Sequence, residues 1–141
     1  MEDEFNLMRF LKAQESRYEQ ALIEIQQGKK SSHWMWYIFP QFRGLGFSQL
    51  SILYAIKSLP EAKAYLSHPI LGPRLFEAVQ AVLGIKGKSA FEIFGSPDDL
   101  KLKSCATLFE SISPKDLAFL KLLEQFYDGS FDSKTLEVLK T

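Results

Sequence analysis

The sequence predicts an all-α fold: one compact multihelical domain of seven to eight short helices spanning residues 1–141. Three observations carry this. Apolar residues recur at steps of three and four along nearly the whole chain, the spacing that lines one face of a helix. Valines number only three, and no alternating run of β-branched residues is long enough for a strand. Pro, Gly and Ser separate the apolar runs at positions that start or stop helices.

Taken in order, Leu7, Phe10, Leu11, Tyr18, Leu22 and Ile25 form one helical stretch. Gly28 ends it as a left-handed cap, with Lys29 and Lys30 beside its negative end. The first ~5 residues are expected to be flexible, as termini commonly are. Ser31 or Ser32 caps a short turn over residues 34–39, and Pro40 closes it because the residue before proline avoids the helical region. Gly44-Leu45-Gly46 is a turn, and Ser48 caps a helix that carries Leu50, Leu53, Tyr54 and Ile56 inward. Ser58-Leu59-Pro60-Glu61 starts a brief helix with Ala62, Tyr65 and Leu66 inside, stopped by His68-Pro69. Residues 71–83 form an amphipathic helix with Leu75, Phe76, Val79 and Leu83 on one side, Pro73 in its first turn and Gly84 at its end.

Residues 85–89 are a basic loop, and residues 90–94 make one or two turns before Gly95. Ser96-Pro97-Asp98-Asp99 opens a helix through Leu102, Cys105, Leu108 and Phe109. Ser113-Pro114-Lys115-Asp116 opens another, carrying Leu117, Leu120, Leu123 and Phe126. Asp128-Gly129 breaks that helix, and Ser133 caps a last one with Leu136 and Leu139.

A domain of this length buries about 70% of its extended-chain surface and folds without disulfides or metal. Its 17 basic and 17 acidic residues cancel, which disfavours nucleic acid as a partner, although Lys29, Lys30, Lys86 and Lys88 can form a local patch. Zero net charge also weakens colloidal repulsion, compatible with a monomer or a weak homodimer. Cys105 stands alone, without the company of a metal site, and its apolar neighbours read as a buried thiol. The acidic start Met1-Glu2-Asp3-Glu4 is unlike a signal peptide, and no segment approaches ~20 apolar residues. The expectation is a cytoplasmic protein with no membrane partner, no metal and no cofactor.

Residues 33–48 concentrate both tryptophans, His33, Tyr37, Phe39, Phe42, Phe47 and a Gly-x-Gly turn beside Gln41 and Arg43. So much aromatic area next to polar groups reads as the wall of a pocket, although a core wall needs the same residues. Trp34 and Trp36 lie two apart and cannot share a helix face, so either one packs in the core and the other lines a cleft, stacked on a planar ring, or both belong to the core. His33 can serve as acid and base. Gly44 and Gly46 let backbone approach a ligand, while Lys30, Gln41, Arg43, Arg74 and Lys101 can hold phosphate or carboxylate. Arg74 can equally pair with Glu77 or Glu61, and His68 can cap the preceding helix's C-terminus.

The block from Lys30 to Ser48 resembles the bacterial domain-of-unknown-function family 1810. So do Glu61-Ala62-x-Ala64-Tyr65-Leu66-x-His68-Pro69-x-Leu71-Gly72-x-Arg74-Leu75, Ile93-Phe94-Gly95, Asp98-x-x-Lys101-Leu102 and Thr107-Leu108-Phe109. The resemblance implies a multihelical single domain and no particular activity. More remotely, Tyr54…Glu61-Ala62…Pro69…Gly72-x-Arg74 is similar to the all-helical N-glycosidases acting on ADP-ribose derivatives, with Glu61 as candidate carboxylate. Two functions follow as expectations. The first is a small-molecule domain for a nucleotide or ADP-ribose-like ligand, which as an enzyme would be an N-glycosidase-like hydrolase; the alternative is a non-enzymatic protein-interaction module.

Overall fold

The structure is a computed structural model and describes residues 3–113 and 117–140. Among these the chain is all-α. Its helices are α1 (Met8–Glu15), α2 (Tyr18–Gln26), α3 (Met35–Ile38), α4 (Gln49–Leu53), α5 (Leu59–Ser67), α6 (Leu71–Leu83), α7 (Ala90–Phe94), α8 (Asp98–Ile112), α9 (Leu117–Tyr127) and α10 (Ser133–Leu139). The longest, α8, is the central strut and packs against α5, α7, α9 and α10. The amphipathic helix α6 packs against α2, α5 and α9. Between them lies an aromatic core with Phe10, Trp34, Phe39, Tyr65, Phe109 and Phe119 fully buried. No helix among the described residues is long and apolar enough to cross a membrane.

Among the described residues there are ten helices, seven of them of seven residues or more, and the first expected stretch divides in two. The backbone leaves helical geometry at Arg17 (φ −125°, ψ −20°), so α1 packs against α3 while α2 packs against α6. Gln14 holds the first half in place, donating from Nε2 to the Tyr37 carbonyl at 2.7 Å and the Tyr65 hydroxyl at 3.1 Å. The end of α2 is as expected. Gly28 takes φ +78°, its N–H donates to the Ile25 carbonyl, and the Lys29 N–H donates to the Glu24 carbonyl.

Several caps differ from expectation. Neither Ser31 nor Ser32 caps α3, whose start is Trp34 without a side-chain cap, because the Ser32 hydroxyl donates to Glu24 instead. His68 is the C-cap of α5 as expected, its N–H donating to the Tyr65 carbonyl, and its side chain also serves the helix that follows: Nδ1 accepts from the N–H groups of Ile70 and Leu71 at the start of α6. The last helix is capped by Asp132, one residue before Ser133, through the Thr135 N–H at 3.0 Å. Ser48, Ser58 and the reciprocal Ser89–Glu92 pair cap α4, α5 and α7. Of the start at Ser113-Pro114-Lys115-Asp116, residues 114–116 lie outside the described residues.

The inward faces were mostly as read, with α4 the main exception. Leu50 and Leu53 are exposed, because this single turn lies on the surface and burial passes to Tyr54 and Ile56 just beyond it. On α9 the buried positions are Ala118, Phe119, Leu122 and Leu123, while Leu117 is exposed. The fold is tightest where α6 meets the end of α5. A Cβ on Gly72 would sit 2.1 Å from the Leu66 carbonyl oxygen, so only glycine permits that approach.

Candidate functional site

The aromatic segment is anchored by a carboxylate from another helix. Glu24 on α2 is buried, and Oε1 accepts from the Ser31 N–H at 2.8 Å, the Ser32 N–H at 3.0 Å and Trp34 Nε1 at 2.9 Å. Its Oε2 accepts from the Ser32 hydroxyl at 2.5 Å and Gln20 Nε2 at 3.0 Å. Burial alone would raise the Glu24 pKa, but the donors led by Ser32 and Ser31 outweigh it and hold the carboxyl well below the usual range. Trp34 is therefore a core side chain, with Phe39 and Phe94 packed around its ring.

From Trp34 a chain of cations runs to the surface. Lys30 Nζ lies 5.0 Å from the Trp34 ring centroid, donates to the Ser32 carbonyl and pairs with Asp98 at 2.9 Å. Asp98 also pairs with Lys101 at 3.4 Å, and Lys101 Nζ lies 5.2 Å from the centroid of the half-buried Trp36. Trp36 thus stacks with a lysine of α8.

Beyond Pro40 the chain turns outward. Residues 41–43 are pinned beside 56 by an isolated parallel bridge, with the Arg43 N–H donating to the Ile56 carbonyl and the Ile56 N–H to the Gln41 carbonyl. Gly44 turns at φ +89°, and a Cβ on Gly46 would stand 2.7 Å from Ser51. Phe47 follows, 88% exposed.

Two depressions flank this turn. One, about 560 Å³, is largely apolar, with Phe42, Phe47, Ile52 and Ala55 beside Arg43, Gly44 and Lys57. The other, about 390 Å³, is more polar and is completed by α8 and α10, which contribute Lys101, Ser104, Asp132 and Lys134. Gln41, Gly46, Phe47 and Ser51 line both. Volumes of this size suit small-molecule ligands. A third depression, about 570 Å³ between α6 and α9, has no aromatic wall, and its Gln125 amide already donates to the Leu83 and Ile85 carbonyls.

The expected site residues therefore separate. Gln41, Arg43, Gly44, Gly46 and Lys101 come together around the turn. Trp34 is fully buried, Lys30 is tied to Asp98, and His33 and Trp36 line neither depression. His33 is exposed, with its backbone carbonyl accepting from the Tyr37 hydroxyl. Arg74 stands elsewhere, stacked on Tyr18 and bonded to Gln14 rather than to Glu77 or Glu61. Glu61 is buried and held by Arg9 at 2.7 Å and the Lys57 N–H at 3.1 Å, which makes it a fold-bearing ion pair away from the cleft. Cys105 is buried, and burial pushes its thiol well up. Among the described residues no group of His, Cys, Asp and Glu could hold a metal ion.

Sequence reasoning passed over Asp132 and Lys134, and placed Phe47 in the pocket wall without a ligand role of its own, although it follows Gly-x-Gly directly. Asp132 and Lys134 carried no local signal beyond a helix start, and only the packing of α10 on α8 brings them to the turn.

No functionally curated protein shows significant similarity to the chain. Among solved structures, the crystal structure of the conserved hypothetical protein Rv1873 from Mycobacterium tuberculosis is 47% identical and covers 99% of each chain, with a TM-score of 0.96. The family model described as protein of unknown function DUF1810 matches residues 4–139. The chain belongs to that family.

Proposed function

We propose that the protein binds a small anionic ligand with a planar ring, a nucleotide or ADP-ribose-like molecule, across the two depressions beside the 44–46 turn. One observation carries this reading: a shared wall of Gln41, Gly46, Phe47 and Ser51 joins an apolar depression to one that presents Lys101 and Lys134. An exposed phenylalanine offers a face for a base, and two lysines on the other side offer charge for phosphate. Trp36 contributes indirectly, by fixing Lys101. As an enzyme, such a site would hydrolyse an N-glycosidic bond.

The test is a thermal-shift and calorimetric titration with ADP-ribose, nicotinamide mononucleotide and AMP, repeated on Phe47→Ala and Lys101→Ala. Ligand at a hundredfold excess over Kd stabilises by about 2.7 kcal/mol. The reading predicts that shift for wild type, its loss in both variants, and unchanged stability of unliganded Phe47→Ala. No shift with any of the three sinks it.

A second reading rests on a different observation. Phe47, Leu50, Ile52 and Leu53 are all exposed on or beside α4, an apolar group of the kind that partner proteins cover. If this is an interaction module, Ile52→Lys abolishes partner binding while the small molecules above give no shift.

A further inference from the structure

We propose that Asp132 is the catalytic carboxylate of the polar depression, and that it serves hydrolysis of the N-glycosidic bond in a ribosyl phosphate of a cationic heteroaromatic base. The proposal rests on the small-molecule reading of the cleft and gives it a reaction.

Three observations point to Asp132. First, its anchoring is one-sided. Oδ2 accepts from the Thr135 hydroxyl at 2.6 Å, the Thr135 N–H at 3.0 Å and the Ser104 hydroxyl at 3.2 Å. The Asp132 N–H donates to the Thr107 hydroxyl at 2.8 Å. Capping α10 requires only the Thr135 contact; Thr107 adds a tie from α8, and Ser104 adds a shared one, its hydroxyl lying 3.2 Å from both Oδ2 and the Leu100 carbonyl. None of these bonds uses Oδ1. Second, the buried carboxylates Glu24 and Glu61 differ in this respect, since each accepts hydrogen bonds at both oxygens. Third, Asp132 is the one carboxylate among the described residues lining either depression, and it shares its own with Gln41, Phe47, Lys101 and Lys134.

The substrate class follows from what accompanies it. Neither histidine lines the depressions, and no second carboxylate stands ready to protonate a leaving group. A neutral base would need such an acid. A base already cationic on its glycosidic nitrogen leaves as a neutral molecule and does not. In the proposed step the water oxygen bonds to the anomeric carbon as the carbon–nitrogen bond breaks, its electron pair going to the ring nitrogen. Asp132 faces the positive charge that develops on the ribosyl ring and takes the proton from the water, then passes it to solvent. Lys101 and Lys134 hold the phosphate, and Phe47 stacks on the base. The products are the neutral base and the ribose phosphate, with no oxidant or reductant required.

Nicotinamide mononucleotide is the probe, with released nicotinamide measured by chromatography and binding by calorimetry. Wild type should bind it and release nicotinamide. Asp132→Asn keeps an oxygen for the Thr135 N–H, so it should bind within about threefold of wild type while kcat falls roughly 100-fold or more, the scale of a lost acid–base group. Ser104→Ala leaves the cap intact and loosens the positioning of Asp132; kcat should fall about tenfold, the lower end of a misplacement effect, with KM nearly unchanged. Should Asp132→Asn not fold, Ser104→Ala decides alone. Binding without nicotinamide release, or an Asp132→Asn kcat within tenfold of wild type, overturns the role of Asp132 and leaves the binding reading standing. Absence of binding by wild type removes both.

Discussion

Replacing Glu24 with glutamine keeps the side chain's length and one carbonyl oxygen but removes the charge that five donors converge on. Trp34 Nε1 and the Ser31 and Ser32 N–H groups meet at Oε1, and the Ser32 hydroxyl and Gln20 amide at Oε2. Hydrogen bonds to a charged acceptor contribute about 1.5–3 kcal/mol, against about 0.5–1.5 kcal/mol for neutral ones. Ser31 is exposed and can turn to water, whereas Trp34 is fully buried and Ser32 half-buried. The new amide NH₂ also faces the Gln20 NH₂, donor to donor. Weakening the bonds to Trp34 and Ser32 sums to about 2–4 kcal/mol at pH 7. The pH dependence gives a second check. The folded Glu24 carboxyl lies well below its ordinary 4.5, so its contribution is complete above that pH and lost as pH falls toward the folded value. Each pH unit below 4.5 removes about 1.4 kcal/mol, so the difference between wild type and Glu24→Gln should shrink by about 2 kcal/mol between neutral pH and pH 3. Urea denaturation followed by far-ultraviolet circular dichroism at both pH values measures it. A loss under 0.5 kcal/mol at pH 7, or an equal loss at the two pH values, would refute the assignment of Glu24 as the anchor of the aromatic segment.

Two further outcomes are expected. Gly72→Ala places a Cβ 2.1 Å from the Leu66 carbonyl, and the overpacking cost of about 1–3 kcal/mol or more should exceed the gain of about 1 kcal/mol in helix propensity. Its melting temperature in calorimetry should therefore fall, and an unchanged or higher value would mean that α6 shifts without cost. Cys105, buried with its thiol pushed up, should resist Ellman's reagent at pH 8 in the native protein and react completely in urea; prompt native labelling would contradict that burial.

The helices were legible because their signals are local. Ser48, Ser58 and Ser89 each accept from an N–H three residues on, and Gly28 and Lys29 close α2 through N–H bonds to the carbonyls three and five back respectively. Each can be read within one turn of sequence. The break at Arg17 was not legible, since the apolar spacing runs through it and only the different packing partners of α1 and α2 separate them. The same limit hid part of the candidate site. Asp132-Ser133 offers two residues that cap equally well, and what distinguishes Asp132 is the hydroxyls of Ser104 and Thr107, 28 and 25 positions away. Glu24 gave no signal for a similar reason: nothing in the spacing from 24 to 34 marks an indole and a carboxylate as partners.

A pocket wall and a core wall seemed to be competing accounts of residues 33–48, and the structure joins them in sequence along the chain. Through Phe39 the segment is core apart from the exposed His33 and the half-buried Trp36, with Trp34 locked to Glu24. From Gln41 onward it lines the depressions. The two halves communicate through charge: Trp34 stacks with Lys30, Lys30 and Lys101 share Asp98, and Lys101 lies over Trp36 while lining the polar depression. Both tryptophans therefore act on the cleft at one remove. Trp34 fixes the base of the ion-pair chain, and Trp36 restricts the lysine at its end. This arrangement explains why aromatic area is concentrated beside polar groups although neither indole faces the cleft. A flexible lysine loses rotamer freedom on binding phosphate, and one already laid across an indole has less to lose.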